Sequence, residues 1–217
     1  NLLSKLTPDD LSNEAFPFGN AQEIEIGYAR ALALRMTYVG ELGWEIYAPT
    51  EFAQDIFDKI LAAGTEHGLK LAGMHALNSL RLEKAFRHWG HDIVDEDTPL
   101  EAGLGFAVKF DKPEGFIGRE ALLRQKDELS KTKSGVLKKR LVQFALENPE
   151  PMLYHNEPIW CNNKIVGDLT SGMYGHTIGT CLGMGYVSHE DGVSKEFLES
   201  SVFEIEVVKR CQLQKMF

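Results

Sequence analysis

The stretch Leu32-Ala33-Leu34-Arg35-Met36-Thr37-Tyr38-Val39-Gly40-Glu41-Leu42-Gly43-Trp44-Glu45-Ile46-Tyr47 carries the clearest structural pattern in the chain. Its first half alternates at period two, which predicts a strand with one face formed by Leu32, Leu34, Met36 and Tyr38. The glycines at positions 40 and 43 predict a turn, and residues 44–47 are rich in strand-forming types. We therefore expect a β-hairpin.

If the hairpin is centred between Glu41 and Leu42, Tyr38 stands opposite Glu45 with both side chains on one face, which we expect to be buried. A buried carboxylate needs a partner. One possibility is an arginine such as Arg35 or Arg81. The other is a planar heterocycle, for example a pterin or guanine, that stacks on Tyr38 and donates two parallel hydrogen bonds to Glu45.

Outward from this hairpin, helical periodicity predicts three helices, which begin near Thr50, Met74 and Gly118 and end near Gly64 or Gly68, Phe86 and Lys126. Alternation at 106–110 predicts another strand, so residues 1–130 are assigned to one α+β domain. A polar, basic stretch around 127–139 has linker composition. Residues 137–217 are assigned to a small β-barrel or sandwich, with short strands predicted at 140–146, 164–169, 183–187 and 203–208 and no further helix.

Composition excludes several classes of protein. The 217 residues are 43% hydrophobic with a net charge of −9, which disfavours disorder and electrostatic binding to nucleic acid. No apolar segment reaches 18 residues and no signal peptide is recognisable, so we expect neither a membrane span nor secretion. The three cysteines, Cys161, Cys181 and Cys211, are odd in number and widely spaced, which predicts free thiols rather than disulfides.

Other site chemistries receive little support. Two histidines and a carboxylate in His88-Trp89-Gly90-His91-Asp92 could meet at a metal ion, but the glycine breaks a helix and no third histidine or cysteine completes the set. A structural loop is the better interpretation. Neither a serine-nucleophile motif nor a phosphate-binding loop is present.

Several blocks of sequence together resemble one family. They look like the folate-binding part of the dimethylglycine and sarcosine dehydrogenases, which is in turn similar to the aminomethyltransferase of the glycine cleavage system. The blocks that carry the resemblance are residues 37–47 (TYVGELGWEIY), 78–84 (NSLRLEK), 87–90 (RHWG), 98–104 (TPLEAGL) and 116–122 (FIGREAL).

The resemblance implies a function and a site. In full-length relatives an amino-terminal FAD domain oxidises an N-methyl group, and the folate domain captures the one-carbon unit as 5,10-methylenetetrahydrofolate. By resemblance, Tyr38 stacks on the pterin of tetrahydrofolate, Glu45 binds its amino edge, and Ile46 and Tyr47 line the same strand. Phe106 stands where relatives have a folate-contacting tyrosine, so it keeps the ring without the hydroxyl. An aspartate that assists catalysis is expected upstream of Asn1, so the chain alone is expected to be inactive.

Two alternatives stay open. The first is a non-catalytic relative that resembles the regulatory subunit of pyruvate dehydrogenase phosphatase and binds a protein partner. The second is a free-standing aminomethyltransferase, which Leu77 disfavours because the glycine-cleavage enzymes have an arginine there. The resemblance implies a missing flavin domain as partner, and a location in the cytoplasm of a bacterium or the mitochondrial matrix of a eukaryote. It also implies a barrel that is truncated after Val208, since residues 209–217 fit the family poorly.

Overall fold

A computed structural model describes residues 2–131 and 135–207, and the chain divides into two compact units between Leu77 and Asn78. Each unit contains helices and an antiparallel sheet, so the predicted α+β class is confirmed. The predicted domain boundary between residues 130 and 137 stays a prediction. Each unit is described below by itself.

The first unit is built on a three-stranded antiparallel sheet. Its strands, in spatial order, are β1 (Ala21–Ile26), β2 (Ala29–Leu34) and β3 (Glu45–Tyr47). Helix α1 (Ala53–Gly64) packs Ile56 and Ile60 into the same hydrophobic cluster as the buried strand residues. Strand β1 was not predicted, because its alternation is confined to Glu23, Ile24, Glu25 and Ile26.

Two helix ends follow from local backbone conformation. After α1 one 3-10 turn leads to Gly68, whose φ of 65° is left-handed and favours glycine, as the sequence predicted for this helix end. Helix α2 (Met74–Glu83) ends three residues before the predicted Phe86. Ala85 has a φ of 53°, and the carbonyl of Phe86 accepts a hydrogen bond from the Arg81 guanidinium at 3.1 Å. The buried arginine therefore holds the chain in a turn that a continuing helix would not allow.

The second unit contains a five-stranded antiparallel sheet. Its strands are β4 (Lys139–Ala145), β5 (Pro158–Cys161), β6 (Lys164–Gly175), β7 (Thr180–Ser188) and β8 (Phe203–Ile205), in the spatial order β4, β7, β6, β5, β8. Phe144, Ile159, Leu169, Phe203 and Ile205 form part of its core. The four predicted strands are present, and the end of the last one, Val208, lies outside the described residues.

Several elements of this unit differ from prediction, and strand β5 was not predicted. Residues 106–110 do not form a strand: the chain makes a 3-10 turn at Gly105–Ala107, where Ala107 N–H bonds to the Leu104 carbonyl within the turn. Helix α3 (Arg119–Lys131) is longer than predicted, and a short helix, α4 (Lys195–Ser200), was missed. The hydroxyl of Ser194 caps α4 by accepting a hydrogen bond from the Phe197 amide at 3.0 Å.

Cys161 and Cys181 are free and buried, and Cys211 lies outside the described residues. Burial raises the pKa of the Cys181 thiol. Within residues 2–131 and 135–207, no helix has the length and apolar character that a membrane crossing requires.

Candidate functional site

The pairing of β2 with β3 sets the geometry of the candidate site. Leu34 pairs with Glu45, Ala33 with Ile46 and Leu32 with Tyr47. The predicted register, with Tyr38 opposite Glu45, is therefore wrong by four residues along β2. Because four is even, the side-chain alternation is preserved, and Glu45 shares a face with Leu32 and Leu34.

Strand β2 ends where Arg35 turns away from the sheet edge. The Arg35 guanidinium donates to the carbonyl of Phe16 at 2.6 Å and to that of Ser12 at 3.2 Å, and it lies 5.4 Å from the centre of the Trp44 ring. Residues 35–44 consequently form a ten-residue connection rather than a tight hairpin turn. These long-range contacts were invisible in the local pattern, and they explain the shifted register.

The face that carries Glu45 is exposed, not buried as the sequence predicted. Leu32 is 42% exposed and Tyr47 57% exposed, whereas Ala29, Ala31 and Ala33 on the opposite face are almost fully buried. The small alanine side chains leave room on that side for the large ones of the cluster, which include Phe16 and Trp44 with ring centres 4.7 Å apart. The larger apolar side chains of β2 are left facing outward.

Glu45 is half-buried on this outer face, and Tyr47 donates its hydroxyl hydrogen to Oε2 of Glu45 at 2.9 Å. That hydrogen bond, and then the negative charge of Glu45, raises the pKa of the Tyr47 phenol. The two arginines considered as partners for Glu45 have other partners: Arg35 is held by carbonyl groups, and Arg81 pairs with Asp92. The outer face thus presents a carboxylate flanked by the apolar side chains of Leu32 and Leu34.

Tyr38 lies on the 35–44 connection and is half-buried. The preceding residue, Thr37, donates its hydroxyl hydrogen to the Glu41 carbonyl at 2.9 Å, and Gly40 has a φ of 72° that favours glycine. The Thr37 hydroxyl therefore forms a hydrogen bond across the loop that carries Tyr38. Its role was not foreseen from the sequence, where a single threonine gives no signal of a side-chain bond within a loop.

Ile46 faces the opposite way from Glu45 and Tyr47. It packs with the buried cluster of the first unit and lines a pocket of about 660 Å³ together with Trp44 and Arg35. The structure therefore brings Glu45 and Tyr47 together and separates Ile46 from them by the thickness of the sheet. Phe106 belongs to the second unit, where its side chain is 83% exposed on the turn at Gly105–Ala107.

The segment that could have suggested a metal site is a structural loop. Asp92 is fully buried and accepts hydrogen bonds from Arg81 at 2.7 Å, from the His88 amide at 2.8 Å and from the Thr170 hydroxyl at 2.6 Å. Its carboxylate is thus used to tie the loop to α2 and β6. In the described part of the chain no three histidine, cysteine or acidic side chains come together in a way that could hold a metal ion.

Comparison with known proteins places this geometry in a family context. Two family models match: the GCVT N-terminal domain over residues 1–112, and the glycine cleavage T-protein C-terminal barrel domain over residues 139–215. The second match includes most of residues 209–217, the stretch that fitted the resemblance poorly. The outer face of the β2–β3 hairpin lies within the first.

Individual relatives extend these matches. The chain is 44% identical over 196 residues to 4-methylaminobutanoate oxidase (formaldehyde-forming) from Paenarthrobacter nicotinovorans, covering 90% of this chain and 23% of the oxidase. It is 38% identical over 207 residues to human mitochondrial sarcosine dehydrogenase, covering 94% of this chain and 22% of the dehydrogenase. The chain therefore spans less than a quarter of the length of either relative.

A solved structure agrees with the fold. The crystal structure of glycine cleavage system aminomethyltransferase T from Bartonella henselae superposes with a TM-score of 0.71 at 24% identity, covering 90% of this chain and 49% of that one. The resemblance inferred from the sequence blocks is confirmed. Since the N-terminal model alone matches more than half of the chain and the C-terminal model follows it in order, the protein belongs to the glycine cleavage T-protein family.

Proposed function

We propose that the outer face of the β2–β3 hairpin binds tetrahydrofolate through the edge of its pterin ring. The observation that carries this proposal is the half-buried carboxylate of Glu45 on the outer sheet face, where its neighbours on β2 are Leu32 and Leu34. The charged side chains Glu23, Glu25 and Arg30 share this face, and Arg30 is paired there with Glu23. A carboxylate in such surroundings suits a planar ring whose faces can stack on apolar or aromatic side chains and whose edge has two adjacent N–H donors. The ring N–H and the exocyclic amine of a pterin are such a pair.

The neighbouring residues have distinct roles in this proposal. Tyr38 stacks on the pterin face, Glu45 accepts the two hydrogen bonds, and Tyr47 borders the carboxylate. Ile46 supports the strand from its buried side and does not contact the ring, because it faces the opposite side of the sheet from Glu45. Phe106, an exposed residue of the second unit, stays a folate contact that only the resemblance implies, and its ring has no hydroxyl to donate. No catalytic acid or base is assigned within the chain.

The relatives suggest the reaction that the intact protein performs. We propose that it captures, as 5,10-methylenetetrahydrofolate, the one-carbon unit released when an N-methyl group is oxidised. Bound tetrahydrofolate supplies the nitrogen nucleophiles, and FAD in a separate domain of the full-length parent supplies the oxidation. The residues of this chain hold and orient the folate. The similarity to 4-methylaminobutanoate oxidase (formaldehyde-forming) and to sarcosine dehydrogenase supports this assignment, because both are named for a methylamino acid.

Anaerobic calorimetric titration with tetrahydrofolate tests the proposal on the intact protein, beside Glu45→Gln. We expect the wild-type protein to bind. The substitution should weaken affinity by about 10- to 100-fold, because it removes the negative charge that strengthens the hydrogen bonds to the ligand. Stability in a thermal melt should be unchanged or improved, since Glu45 has no basic partner among the residues that the structure describes. Glu25→Gln is the matched control, because it removes an exposed carboxylate from β1 of the same sheet and should leave binding unchanged.

Two results would contradict the proposal. If Glu45→Gln bound tetrahydrofolate as tightly as the wild type, the carboxylate would not be a ligand group. If the folded wild-type protein failed to bind at all, the non-catalytic, partner-binding alternative would replace it.

A further inference from the structure

We infer that Tyr47 is a positioning residue, which holds the Glu45 carboxylate in place for the ligand through its hydroxyl group. This inference rests on the proposed function and adds to it a role for a side chain that the resemblance places only along the strand. The hydroxyl donates to Oε2 of Glu45 at 2.9 Å, and the two residues are two apart on β3, so their side chains share a face.

The surroundings of Glu45 explain why a positioning group matters there. Its cross-strand neighbour is Leu34, and that of Tyr47 is Leu32. Neither leucine can donate a hydrogen bond, and the glutamate side chain has several rotatable bonds that ligand binding must fix. A tyrosine ring has only two, so it offers a donor at a defined place with little loss of entropy. The phenol thereby selects one orientation of the carboxylate before the ligand arrives.

The hydrogen bond leaves room for the ligand. A carboxylate has about four lone-pair directions, and two parallel donors from a planar ring use one on each oxygen. The Tyr47 hydroxyl uses another on Oε2, so the tyrosine and the ligand can be bound at once. Tyr47 is 57% exposed, so its ring is largely open to solvent.

The experiment compares tetrahydrofolate affinity of the intact protein with that of Tyr47→Phe, in the wild-type background and in Glu45→Gln. We expect Tyr47→Phe to weaken binding by about three- to tenfold, because one hydrogen bond that orients a charged group is lost. In the Glu45→Gln background the same change should cost less than about twofold, since the charge that the phenol positions is gone. Tyr28→Phe, on an 89% exposed tyrosine of the same unit, is the control and should leave affinity unchanged.

A second measurement observes the hydrogen bond without folate. In protein labelled with ¹³C at the tyrosine ring carbon that bears the hydroxyl, the Tyr47 signal is assigned by its loss in Tyr47→Phe. The pKa of the phenol should be raised in the wild type and should fall towards its ordinary value in Glu45→Gln, because the hydrogen bond and charge of Glu45 are what raise it. A merely structural role for the ring would not produce this dependence.

The outcomes separate this inference from the proposed function. Wild-type binding that Glu45→Gln weakens and Tyr47→Phe leaves unchanged would overturn the positioning role alone. An equal loss from Tyr47→Phe in both backgrounds would also overturn it, because the hydroxyl would then contact the ligand directly. Absence of binding by the folded wild-type protein would overturn the proposed function and the positioning role with it.

Discussion

The methyl group of Thr37 lies so close to Gly43 that a β-carbon on the glycine would collide with it. Gly43 has a φ outside the left-handed region, so its backbone alone would accept alanine. What excludes a larger residue is the close approach of the threonine, whose hydroxyl also holds the Glu41 carbonyl across the loop. The two ends of the segment that carries Tyr38 are thus fitted to each other.

We predict that Gly43→Ala lowers the free energy of unfolding by about 1 to 3 kcal/mol, because the added methyl must displace Thr37. Thr37→Ser removes the obstructing methyl and keeps the hydroxyl, so the double variant should recover most of the loss. Chemical denaturation of the two single variants and the double variant measures this coupling. Additive losses would show that the two side chains do not meet.

Neighbouring positions on β2 should respond in opposite ways to a charge. Ala33→Asp places an unpaired carboxylate in the buried cluster and should cost several kcal/mol, enough to unfold a marginally stable protein. Leu32→Asp faces outward, so we expect a folded protein whose melting temperature changes by only a few degrees. Circular dichroism with thermal melts of both variants distinguishes the observed orientation from the predicted one. If the Ala33→Asp protein folded and the Leu32→Asp protein did not, the face of β2 that carries Leu32 would be the buried one.

The buried pair of Arg81 and Asp92 should be essential to the second unit. Their side chains are 4% and 0% exposed with a 2.7 Å contact, so Asp92→Asn leaves the guanidinium without its counter-charge. We expect a loss of about 3 to 5 kcal/mol in urea unfolding at neutral pH. Asp95→Asn, on an exposed residue of the same loop, is the control and should stay within about 0.5 kcal/mol of the wild type. A loss below about 1 kcal/mol for Asp92→Asn would contradict the structural role.

Acid should weaken the second unit through Asp97. Burial opposes the ionisation of this carboxyl, but the hydrogen bond from Lys139 at 2.6 Å, the Val94 amide and the lysine charge outweigh it, so the pKa of Asp97 is lowered. A lowered pKa in the folded state gives stability that is present above the unfolded value, about 4, and is lost as pH falls through the folded value.

The corresponding experiment measures the free energy of unfolding against pH for the wild type and Asp97→Asn. We expect a difference of about 2 kcal/mol at neutral pH that shrinks steadily below about pH 4. Asp111→Asn, on an exposed loop residue, should show no such convergence. A difference that stayed constant down to pH 2 would mean that the charge of Asp97 does not contribute.

Much of the fold could be predicted from the sequence because it depends on local patterns. Alternation at Leu32 and Leu34 predicted a strand, and the spacing of Ile56 and Ile60 predicted a helix. The end of that helix was predicted at Gly64 or Gly68; α1 ends at the first, and the 3-10 turn after it ends at the second. The ordered blocks of residues identified the family. Each of these signals lies within a few residues of the element it specifies.

The candidate site depended on contacts that are distant in sequence. Period two assigns Leu32 and Ala33 to opposite faces, but which face is buried was decided by Phe16, Trp44 and α1, which pack against the alanines. The register was decided by Arg35, whose carbonyl partners lie about twenty residues earlier in the chain. The sequence by itself therefore determined the strands and the family. Only tertiary packing, through side-chain volume and long-range hydrogen bonds, decided that Glu45 faces outward beside Tyr47.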